Sequence, residues 1–217
     1  MRTSNTFAEI ADLLRQRHLI LDGGMGTMIQ SYGLQENDFR DAALQKHAKL
    51  LKGNNDLLSI TRPEVIREIH EKYLLAGSDV IETNTFSSTT IAQADYELEA
   101  LVPEINRSSV RVAKEAIKNV TQKSPNRRCF IAGAMGPTNR TASLSPDVNN
   151  PAYRAVTFKQ LEQSYYEQAL VLAQEGVDIL LVETIFDTLN AKAALFATER
   201  VFNETGVRLP VMVSVLS

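Results

Sequence analysis

Two stretches of this chain repeat one pattern. Gly77-Ser78-Asp79-Val80-Ile81-Glu82-Thr83 leads to Phe86, and Gly176-Val177-Asp178-Ile179-Leu180-Leu181-Val182-Glu183-Thr184 leads to Phe186. Each rises from glycine through aspartate and an aliphatic run, then stops abruptly at Glu-Thr. A third run, His18 to Leu21, ends on Asp22-Gly23-Gly24-Met25-Gly26-Thr27. Short aliphatic runs bounded in this way read as parallel strands buried on both faces. In folds of that kind the functional groups gather where the strands end. Asp22, Glu82 and Glu183 therefore mark where the chemistry sits, although Glu82 could equally be structural and Glu183 either faces a ligand or pairs with a neighbour such as an arginine or a backbone N–H.

Between these runs the periodicity is helical. A polar, amphipathic lead-in helix is expected at about residues 5–17. A long polar connection from about Gln30 to Asp56 reads as a functional loop or flap. Thr61-Arg62-Pro63-Glu64 has the form of a capping box before a helix with Val65, Ile66, Ile69, Tyr73 and Leu74 on one face, closed by Gly77. Strands are expected at 79–81, 129–132, 178–182 and 211–215. A helical stretch over about 90–120 should break near Pro103, and a turn is expected at Pro125-Asn126. Thr157 with Gln160, and Asp187, are the expected caps of the last two helices.

Strand and helix alternate through five strands, which predicts a parallel sheet with right-handed crossovers. The repeated βα unit favours a barrel over an open sheet. A complete eight-unit barrel needs about 250 residues. The expectation is thus an α/β protein of (β/α)8 TIM-barrel type with only about its first five strands, residues 1–217 forming one partial barrel domain. The unpaired edge of the fifth strand would invite self-association.

Composition narrows the function. Net charge is −3 and basic residues do not cluster with aromatics, so nucleic acid is a poor partner. No apolar stretch is long enough to span a bilayer. The single cysteine, Cys129, excludes an intrachain disulfide and fits a reducing, cytoplasmic setting. It reads as an inert core thiol. His18, His47 and His70 lack ligand spacing, and no metal site is expected from this chain. No lysine falls on an expected strand, so a Schiff-base nucleophile is missing. The Gly23-Gly24-Met25-Gly26 turn is either a tight strand exit needing positive φ or a nest of N–H groups for a carboxylate. With Asp22 beside it, the turn has the makings of a socket for a zwitterion.

The stretches LDGGMGTMIQ, GNNDLLSITRPEVI, AGSDVIETNTFSSTTIAQADY, AGAMGPTNRTASLSP and GVDILLVETIFDTLNAKAALF resemble the homocysteine-binding region of the cobalamin-dependent methionine synthase family. The resemblance runs over almost the whole chain. It implies a (β/α)8 barrel that presents homocysteine, as a zinc-bound thiolate, to methylcobalamin recharged from methyltetrahydrofolate on other domains. Carried over residue by residue, Asp22 and Glu183 match the acids expected to hold the substrate ammonium. The N–H groups of Gly23 and Gly24 match the carboxylate site, and Thr85 is a further pocket candidate. The family's zinc-binding cysteines belong to later strands, so neither zinc nor cobalamin is expected to bind here, and the isolated chain is expected to be inactive. Two alternatives stand beside this one. The chain could be a shortened, non-catalytic form acting by association, or a related homocysteine methyltransferase using a sulfonium or betaine donor.

Overall fold

A computed structural model describes residues 2–122, 124 and 127–216; the turn expected at Pro125-Asn126 lies outside them. The chain opens with a short strand β1 (Arg2–Thr3) and helix α1 (Asn5–Gln16), followed by α2 (Met25–Gln30). A one-turn α3 (Leu58–Thr61) precedes α4 (Pro63–Ala76) and strand β2 (Val80–Glu82). Then come α5 (Thr90–Gln93), α6 (Val102–Thr121), β3 (Phe130–Met135), α7 (Phe158–Gln174) and β4 (Ile179–Ile185). Helix α8 (Thr188–Thr205), β5 (Val207–Arg208) and β6 (Val211–Val215) complete it.

The main sheet is wholly parallel, in the order β2-β3-β4-β6. The run expected as a first strand at 18–21 contracts to a single parallel bridge, Leu21 with Val80, at the β2 edge. Its hydrogen bonds are the Asp79 and Val80 N–H groups to the Ile20 carbonyl and the Asp22 N–H to the Val80 carbonyl. β1 does not join this sheet; it pairs with β5 and fastens the N-terminus beside the end of α8.

Side chains alternate between two cores. Val80, Phe130, Ala132, Ile179 and Leu181 share the inner face, where Ile10 and Leu13 of α1 cover them. Ile81, Ile131, Leu180 and Val182 face outward into a larger core built by α6, α7 and α8. Period-two alternation in a sheet covered on both faces explains why the strands read as unbroken aliphatic runs.

The two aspartates of the repeated pattern do equivalent work at the lower ends of the strands. Asp79 accepts the Ile20 N–H (2.9 Å) and both guanidinium nitrogens of Arg17 (2.7 and 2.8 Å). Asp178 accepts the Ile131 N–H at 2.9 Å. Each carboxylate ties the start of its strand to the neighbour before it. Arg17 beside Asp79 holds that carboxyl below its ordinary range.

Several local expectations change. Thr61 belongs to α3, with its hydroxyl buried and unpartnered, and Arg62 is the residue before α4 without a side-chain cap. The capping box there does not form because α3 runs almost directly into Pro63. Gly77 does close α4, at φ 120°. The helical stretch does break ahead of Pro103, at Glu97 (φ 56°) between α5 and α6, and Pro103 itself sits in the first turn of α6, where proline is tolerated because no helical N–H partner is needed. Thr157 and Gln160 form the expected capping box of α7, and Asp187 accepts the Leu189 and Asn190 N–H groups to cap α8. The connection 30–56 is a packed wrap more than a loose flap. Phe39, Leu44 and Leu51 are buried against α4, and the Glu36 carboxylate accepts the Leu51 and Lys52 N–H groups.

Gly136 follows β3 directly, and a Cβ there would stand 2.5 Å from the Phe86 carbonyl oxygen. Gly136→Ala must push two strand exits apart, and urea unfolding should show a loss of about 1–3 kcal/mol. Gly26→Ala, whose nearest neighbour atom is 3.7 Å away, is the matched control and should cost far less.

Candidate functional site

At the upper end of the sheet a cavity of about 860 Å³ opens between the strand exits. Asp22, Glu82 and Glu183 line it together, joined by Asp56 from the connection before α3. By register Glu82 is level with Ala132 and so with Ile179, four residues before Glu183. The acids reach one cavity because strands in such sheets tilt and stagger.

Burial sets their charge. The Asp22 carboxyl is pushed up to about 8 by burial, with Glu82 and, less strongly, Glu183 adding repulsion. Its hydrogen bonds from the Glu82 N–H, at 3.1 and 3.2 Å, pull the other way without prevailing. Glu183 is pushed up to about 8 by burial, then by Glu82 and Asp56. Glu82 rises through burial. Asp56 reaches about 6, where burial outweighs its bonds from the Ser88 hydroxyl (2.7 Å) and the Ser87 N–H (2.6 Å). An acid cluster held this way, with no arginine or lysine among the described residues of the cavity lining, can accept a cationic group.

The glycine turn lies in the same cavity, for a reason other than positive φ: Gly23, Gly24 and Gly26 all have ordinary φ. At Gly23 the approach is close: a Cβ would lie 3.0 Å from the Tyr73 hydroxyl, which would have to shift by a few tenths of an ångström. Among the described residues the Gly23 and Gly24 N–H groups donate to no protein acceptor. They can serve an anionic group of a ligand whose cationic group meets the acids.

Thr85 is placed elsewhere. It is fully buried, its hydroxyl donates to the Ala134 carbonyl at 2.7 Å, and its carbonyl accepts from Gln168. It latches the exit of β2 to β3 and does not line the cavity. Asn84, one residue earlier, does line it, with its amide donating to the Asn55 carbonyl and Ser59 hydroxyl. Phe86 and Phe186, the last residues of the repeated pattern, are exposed and line the cavity. Asp56 is the member that reading the strands alone misses. The signal available for it was a lone acid between Asn54-Asn55 and the buried pair Leu57-Leu58.

The sequence profile of a family described as homocysteine S-methyltransferase matches residues 19–217. The chain belongs to the homocysteine S-methyltransferase family. Solved structures agree on the fold. The metallated homocysteine methyltransferase MmuM of Escherichia coli superposes with a TM-score of 0.67 at 22% identity, over 91% of this chain and 64% of that one. Its oxidised form gives 0.70 at 22% identity, over 95% and 64%. The chain thus spans less than two-thirds of the length of these proteins. Its parallel sheet and outer helices are those of a TIM-barrel-type methyltransferase, with a partial set of strands. No helix among the described residues is long and apolar enough to cross a membrane.

The raised acids have a consequence for stability. Each binds a proton in the folded chain at a pH where the unfolded chain has already released it. The stability they contribute is full below about pH 4 and is lost as pH rises through about 8. In urea titrations from pH 4 to 9, Asp22→Asn with Glu183→Gln should therefore flatten the fall seen in the parent chain. An unchanged slope would mean that neither acid is buried as described.

Proposed function

We propose that this chain is the homocysteine-binding portion of a methyltransferase, and that Asp22 and Glu183 receive the substrate ammonium while the Gly23 and Gly24 amides receive its carboxylate. The observation that carries this is the meeting of the raised acids and the unsatisfied amides in one cavity at the strand ends. An ammonium placed between Asp22 and Glu183 would lower both acids and draw them into the ionised form. Gripping the amino-acid end leaves the thiol free to point away toward a methyl donor.

The residues described here do not fit a zinc centre. Among them no three of His, Cys, Asp and Glu come together in a metal-binding arrangement. Cys129 is buried just before β3, at the lower end of the sheet away from the cavity. The acid cluster repels itself but is not gathered as a ligand set. The role proposed for this chain is therefore to bind and orient homocysteine, and no activation of the thiol is assigned to its residues.

The finer assignment, to the cobalamin-dependent methionine synthase branch, is supported by the ETNTF-to-IAQADY segment (residues 82–96), which supplies Glu82, Asn84 and Asp95 to the cavity wall. A sulfonium- or betaine-dependent homocysteine methyltransferase is the nearest competitor, because the acids and glycines alone do not separate the branches. A non-catalytic role through association draws on one observation: the outer edge of β6 is unpaired among the described residues, and Val213 and Val215 are 50% and 66% exposed.

Calorimetric titration with L-homocysteine tests the binding proposal. Affinity should rise from pH 6 to pH 8 as the acids ionise. Asp22→Asn and Glu183→Gln should each weaken binding on the order of 30-fold or more. Binding that is indifferent to both changes would sink it.

A further inference from the structure

β4 does not end as a regular strand. Val182 stands opposite Val213 and Ile185 opposite Val215, so Glu183 and Thr184 together face the single residue Ser214 of β6. This is a bulge in a parallel pair, where bulges are rare. Thr184 adopts φ 57°, the left-handed region that a β-branched residue seldom enters.

Alternation says what the bulge does. Ile179 and Leu181 belong to the inner core, Leu180 and Val182 to the helix-side core. Strict alternation would send Glu183 inward, Thr184 toward the helices and Ile185 into the cavity. Instead Ile185 is only 8% exposed within the helix-side core, while Glu183 and Thr184 both remain partly exposed. The extra residue resets the phase of the strand between Glu183 and Ile185.

We propose that Thr184 is a positioning residue: its left-handed backbone lets Ile185 dock among the helices while Glu183 stays aimed into the cavity. Its functional meaning rests on Glu183 serving the ligand, as proposed above, but its geometry does not. A regular strand would trade the apolar anchor for a polar one on the helix side and place Ile185 among the acids. Backbone conformation, and not the threonine hydroxyl, is the operative feature.

The test follows the Glu183 carboxyl carbon by 13C NMR in the ligand-free full chain, assigned through Glu183→Gln. Its titration midpoint, about 8 in the parent, should stay within half a unit in Thr184→Gly, which enters the left-handed region freely, and in Thr184→Val, which keeps the shape without the hydroxyl. Deleting Thr184 removes the bulge and should move the midpoint by at least one unit. A folded deletion variant with an unmoved midpoint overturns the proposal, as does a shifted midpoint in the glycine or valine variant. Should the deletion variant not fold, the glycine and valine variants decide alone. Homocysteine titration of the same proteins should fall at least tenfold only where the midpoint moves. A parent chain that binds no homocysteine would count against the binding role while leaving the NMR result to judge Thr184.

Discussion

A parallel ladder decides which residues share a face, and in this chain the ladder β2-β3-β4-β6 is pinned at its lower end by two carboxylates. Asp178 reaches across to the Ile131 N–H of the preceding strand, and Asp79 to the Ile20 N–H beside the single bridge at the β2 edge. A slip of one residue would turn every side chain of a strand to the opposite face. Val80 and Leu181 would leave the inner core, and Glu82 and Glu183 would be driven toward the apolar helix-side core. The upper cavity therefore depends on the lower ties. The repeated pattern encodes both in one segment, with an acid for register at the start of the strand and an acid lining the cavity at its end.

The cavity then works by frustration. Asp22, Glu82, Glu183 and Asp56 are brought close enough to repel and dry enough to resist ionising. The same burial that disfavours these charges is what a cationic group placed among them would relieve. Hydrogen-bond networks hold the walls in place. Thr83 and Thr85 lock the exit of β2 to β3, and Asn54 pairs reciprocally with Gln93. Asp187 and Asn190, at the head of α8, hold the segment after Gly136 through Ser143, Ala142 and Thr138. Most of these groups are buried, and together they give the acids a hydrogen-bonded frame.

Much of this was legible in the residues. Aliphatic runs between turn signals located four of the strands to within a few residues, and the caps at Thr157 and Asp187 announced α7 and α8. Asp22 and Glu183 stood out because a charge at the end of an aliphatic run has few reasons to be there. The failures share a cause. Thr61 reads as a cap by spacing, but α3 uses it first. Of the two readings of the Gly23 turn, the one needing positive φ does not hold, and the close neighbour there is Tyr73, fifty residues away. Thr85 reads as a pocket residue beside Asn84, but the path of the chain at the exit of β2 turns it into the core.

The amino-acid order by itself determined the alternation of strand and helix, the parallel sheet and the end of that sheet on which acids collect, because hydrophobic period and capping chemistry are local. Only the tertiary structure decided which acids meet, that Asp56 joins them, and that Thr184 breaks the phase of β4. Those outcomes depend on strand tilt, on burial from several directions and on contacts between residues far apart in the chain, and no local pattern records them.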